Sequence, residues 1–114
     1  MSIFHNYRKQ IDKEVLLKAI EFLEAPHEAS WDLSDVPGYV LEPLDFFKPD
    51  FSYPEHHEII KRKGILPEEM SMENIRTMFT FFNRGERFCT GFTADIINNG
   101  DLLAVYKRLA EFAR

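Results

Sequence analysis

The chain has 114 residues, 14 Lys and Arg against 19 Asp and Glu, a formal net charge of −5 and 45% hydrophobic residues. That suits one folded domain, residues 1–114, rather than a disordered chain. The longest apolar runs, such as Phe81 with Phe82 and Ile96 with Ile97, fall far short of the roughly 20 residues a membrane helix needs, which excludes a bilayer-spanning reading. The first ten residues carry no apolar stretch of signal-peptide length, and the single cysteine, Cys89, cannot form an internal disulfide, so a cytoplasmic protein is expected. Residues 1–60 hold five Lys or Arg against twelve Asp or Glu, and residues 61–114 nine against seven. An acidic chain is repelled by phosphate backbones at long range, which disfavours nucleic acid as a partner.

Ile3, Phe4, Tyr7 and Ile11 are spaced by three and four and suit a helical N-terminal turn. Asp12 is a good N-cap for a first helix to Glu24, because Val15, Leu16, Ala19, Ile20 and Leu23 fall on one apolar stripe and Pro26 follows. From Ala25 to Tyr53 the periodicity fails: Pro26, Pro37, Pro43 and Pro49 interrupt any helix, yet the segment is rich in large apolar residues. An ordered irregular stretch is expected, wrapped on the helices with Trp31 and Phe46 or Phe47 in the core, and a short strand near Tyr39 to Leu41 is left open.

A compact helix follows, with Pro54 and Glu55 in its first turn, the basic run Lys61, Arg62 and Lys63 in its last and Gly64 as its C′ residue. Ser71 can cap the next, whose buried stripe is Ile75, Met78, Phe79 and Phe82. Extending that stripe through Gly85 would bury the Glu86 carboxylate, so the helix is expected to stop at Gly85 and a new one to carry Phe88, Phe92 and Ile96. Gly100 then serves as a C′ glycine and Asp101 as an N-cap for a last helix with Leu102, Val105, Tyr106, Leu109 and Phe112. The fold class is all-α: about five helices and a long irregular aromatic-rich segment after the first, with no internal repeat.

Residues 84–92 concentrate chemistry. Arg84 and Arg87 are candidates to clamp an anionic ligand, and Glu86, Arg87 and Cys89 are candidates for a catalytic group, since guanidinium forks bind phosphate or carboxylate and lower a neighbouring thiol's pKa. The structural alternative is preferred: Arg87 paired with Glu86 at a helix junction, Cys89 a buried and unreactive thiol, and Gly91 a site of close helix contact. Glu55, His56, His57 and Glu58 lack the i, i+4 spacing of a helical metal site, and read as a solvated polar face; His5 and His27 stand apart. No metal or cofactor is expected.

The string Glu86, Arg87, Phe88, Cys89 and Gly91, followed by an amphipathic stretch, the turn at Gly100 and a last helix with Arg108 and Leu109, resembles the ERFCxG signature of a bacterial family of small proteins known only as a domain of unknown function. Phe22 with Leu23, Trp31, and Tyr53 with Gly64 extend the likeness. A histidine often follows the signature glycine in that family, where this chain has Phe92, so any role of that histidine is lost here. The resemblance implies a helical single domain and no established activity. Sixteen aromatic residues (Phe 11, Tyr 4, Trp 1) are many for a small core to hide, and aromatics are enriched at interface centres. A protein partner or homo-oligomer is therefore the leading expectation, with an enzyme or anionic-ligand site at residues 84–89 as the alternative.

Overall fold

A computed structural model of the chain describes residues 12–26 and 31–113. The expected N-terminal turn, with His5, and also His27 lie outside the described residues. Five helices pack around one core: α1 (Lys13–Glu24), α2 (Tyr53–Lys63), α3 (Met72–Phe88), α4 (Phe92–Asn98) and α5 (Asp101–Phe112). The described residues contain no β-sheet, so the all-α expectation holds.

The Asp12 carboxylate accepts the Val15 N–H at 3.2 Å and caps α1, which buries Leu16, Ala19 and Ile20. Leu16 and Ala19 meet Phe46, Phe79, Leu102 and Tyr106 in the core, where each large side chain contributes about 1.5–3 kcal/mol. After α1 the irregular segment is a string of 3-10 turns at Leu33–Asp35, Gly38–Val40 and Glu42–Asp45. Phe46 and Phe47 are buried as expected, and Trp31 packs half-buried on the core's edge. Its ring lies 4.7 Å from that of Phe22, and the Asn98 amide pairs with both its backbone groups, accepting from N–H at 2.7 Å and donating to C=O at 3.0 Å. The stretch left open as a strand is helical instead, because the Val40 carbonyl accepts the buried Tyr106 hydroxyl at 2.6 Å and its N–H turns back to Pro37.

Gly64 ends α2 with φ +63, and the Ile65 N–H closes onto the Ile60 carbonyl, the αL stop its position implied. Ser71 and Asn74 form a reciprocal cap at the start of α3. Three junction expectations are corrected. The α3 helix runs through Gly85 to Phe88, and α4 begins only at Phe92, so Phe88 belongs to no new stripe and is 79% exposed. Gly85 is a contact glycine rather than a stop: a Cβ there would collide with the Phe92 ring, which also meets Phe81 edge-on at 5.3 Å. Gly91, expected at a close contact, instead turns the chain with φ +87 and open space beside it. Asp101 is the first residue of α5, not its N-cap; Gly100 takes that place at φ +89, and the Asn99 side chain accepts the Asp101 N–H at 2.9 Å.

Candidate functional site

Thr80, Asn83, Arg84 and Arg87 follow an i, i+3, i+4, i+7 spacing and therefore share one stripe of α3. Opposite that stripe runs the chain from Leu44 to Pro49, and between them lies a cleft of about 270 Å³ with Asp45 and Phe47 on its far wall. The Asn83 amide donates to the Leu44 carbonyl at 3.0 Å and ties the walls together. The Arg84 guanidinium lies 5.5 Å from the Tyr53 ring and 5.9 Å from the Phe51 ring, within cation–π range. Arg87 lines the same cleft and Asp45 faces it, both exposed and neither in a salt bridge among the described residues. The two arginines singled out from the sequence thus do come together, with Asn83 and Asp45, which sequence reasoning missed. The helical spacing of residues 80, 83, 84 and 87 was the signal available for Asn83; nothing local marked Asp45.

Below the cleft, residues 48–52 are held by α3 through an almost wholly polar network. Arg76 donates Nε to the Lys48 carbonyl and Nη2 to the Pro49 carbonyl, both at 2.9 Å. The Thr80 hydroxyl accepts the Asp50 N–H at 2.9 Å and donates to the Arg76 carbonyl. The Asp50 carboxylate, 5% exposed, accepts the Ser52 N–H at 3.0 Å, the Thr77 hydroxyl at 2.7 Å and His56 Nδ1 at 2.8 Å. Burial pushes this carboxyl up, but hydrogen bonds from His56, Thr77 and Ser52 outweigh it and hold the group below the usual aspartate range. Adjacent to this buried anion, Phe51 stands 81% exposed.

The Glu86 carboxylate turns away from Arg87. Its oxygens accept the Thr93 N–H at 2.8 Å and the Gly91 N–H at 2.9 Å, closing the turn into α4, and those two bonds hold it below the usual glutamate range. The expected Glu86–Arg87 pair is absent because the start of α4 offers the carboxylate two N–H donors that lack helical partners. Cys89, expected buried, is exposed at the C-terminus of α3, since the chain leaves the helix there before Phe92 folds back. Glu86, Arg87 and Cys89 accordingly do not converge: of the three, only Arg87 lines the cleft. The histidine pair also diverges. His56 binds Asp50, while His57 stacks on Phe81 with centroids 3.9 Å apart, and burial with the nearby Lys61 lowers its pKa. Glu55, His56 and Glu58 are exposed, as the solvated-face reading expects, and only His57 departs from it by being half-buried against Phe81. Among the described residues no group of three or more His, Cys, Asp or Glu could hold a metal ion, and no helix is long and apolar enough to cross a membrane.

These features define a small helical protein with an arginine-lined cleft framed by exposed aromatic rings. The chain belongs to the Family of unknown function (DUF6508), whose model matches residues 41–114. The match takes in the cleft, the Asp50 network and the string from Glu86 to Gly91, whereas Phe22, Leu23 and Trp31 lie outside it. No curated protein and no solved structure matches the chain.

Proposed function

We propose that this protein, a single cytoplasmic unit, acts by binding another protein chain through the C-terminal half of α3 and the adjoining Lys48–Ser52 loop. One observation carries the reading: Phe51, 81% exposed, is presented by a loop that Arg76, Thr77 and Thr80 already pin in place. A loop whose backbone is already fixed loses little further backbone entropy when its aromatic is covered, which favours binding. Arg84 sits beside Phe51, and Phe88, 79% exposed, lies one turn further along the same helix face. Arginines and aromatics are the residue types that dominate binding hot spots. The cytoplasmic placement rests on the single cysteine.

Short peptides carrying Glu or Asp next to an aromatic residue, titrated into the labelled protein, test the surface. Amide shift changes should cluster at residues 48–53 and 83–88, and Phe51→Ala should weaken the peptide by about tenfold, the loss of a hot-spot ring. Shifts confined to other surfaces, or a Phe51→Ala variant that binds equally well, would remove the proposal. The alternative anionic-ligand reading uses the same arginines; saturation by inorganic phosphate alone, with no contribution from the aromatic rings, would favour it.

A further inference from the structure

We infer that the occupant of this surface is a second copy of the same chain, docked about a two-fold axis so that Asp45 of each copy meets Arg87 of the other. The inference rests on the binding reading above and names its partner. A two-fold contact brings a patch onto itself, so a patch suited to it must carry both signs of charge and apolar area that can face its own image. The cleft does so. Asp45 stands on one wall and Arg87 on the other; both are exposed, and neither has a salt-bridge partner within the chain among the described residues.

A purely acidic partner would be drawn to Arg84 and Arg87 but repelled by Asp45, and a basic one the reverse. A second copy satisfies both ends at once. Phe51, beside Arg84, and Phe88, next to Arg87 in α3, are the two most exposed large apolar residues among the described residues and supply the area that charge alone does not, since exposed ion pairs contribute little by themselves. The net charge of −5 opposes association at long range, but at physiological salt that repulsion is screened beyond about 8 Å while the close pair is retained.

Molar mass from light scattering or sedimentation equilibrium, between about 1 μM and 1 mM protein, a span of about 4 kcal/mol in association free energy, is the deciding measurement. Wild type should pass from one chain to two. Arg87→Asp and Asp45→Arg each put like charges face to face and should weaken the dimer by about tenfold or more. An equimolar mixture of the two variants should dimerise again, because each restores the partner the other lost. Phe88→Ala should weaken the dimer without any charge change, and circular dichroism should show all variants folded, as their exposed positions imply. A wild type that stays a single chain throughout would overturn the dimer while leaving the peptide titration free to support the surface. A dimer indifferent to all three substitutions, or charge variants that fail to rescue one another, would overturn it as well.

Discussion

Two carboxylates, one bound to the middle of α3 and one carried near its C-terminal end, do the same job with different consequences. Asp50 and Glu86 both accept backbone N–H groups at the start of a helix, α2 and α4 respectively. Asp50 does so at 5% exposure, shared with Thr77 and His56, and so fixes a loop against the middle of α3. Glu86 does so half-exposed, at a turn that Gly91 already allows. The lesson is that an ionised cap is structural glue only where burial removes water as a substitute. In water the same bonds direct the chain, and their loss is largely made good by solvent.

The largest effect should come from Asp50→Ala. It leaves the Thr77 hydroxyl only the Glu73 carbonyl, takes the acceptor from the Ser52 N–H and His56 and loosens the loop that carries Phe51, at a cost of about 2–4 kcal/mol in denaturant unfolding. A loss below about 1 kcal/mol would erase the contrast. The pH dependence sharpens it. With its folded pKa below the unfolded value of 3.8, Asp50 contributes stability that is complete above about pH 4 and is lost as pH falls through the folded pKa. Asp50→Asn should flatten that acid limb.

Gly85→Ala comes next, and its sign is diagnostic. Were Gly85 a helix stop within reach of water, alanine would be neutral or stabilising by up to about 1 kcal/mol through helix propensity. Because the new Cβ displaces Phe92 from its seat against Phe81, thermal or urea unfolding should instead show a net loss of about 1–2 kcal/mol. The smallest effect should follow Glu86→Gln, which keeps an acceptor at the turn: a melting temperature slightly below wild type at neutral pH, and a difference that vanishes in acid, where the folded Glu86 would itself be protonated. A drop as large as that of Asp50→Ala would show that exposure is not what separates the two sites.

The helices themselves were legible because each is written in local terms. Asp12 before an apolar stripe, Gly64 after a basic last turn and Ser71 as a cap are signals read within a few turns of the chain, and the structure places α1, α2 and the start of α3 where they indicate. Arg84 and Arg87 were grouped by their closeness in sequence, but that one helix face carries both became visible only because α3 continues through Gly85. What the sequence could not resolve were choices made by distant residues. Gly85 reads as a stop until Phe92 is known to fold back on it; Glu86 reads as Arg87's partner until the amides at the start of α4 are known to meet it. Asp50 is one acidic residue among many until Thr77 and Thr80, nearly thirty positions later, enclose it. Asp45 faces Arg87 only because the irregular segment runs back along α3. Propensity and periodicity act within a turn or two and so determined the elements; desolvation and satisfaction of polar groups depend on what arrives from elsewhere in the chain, and only the packed structure decided those.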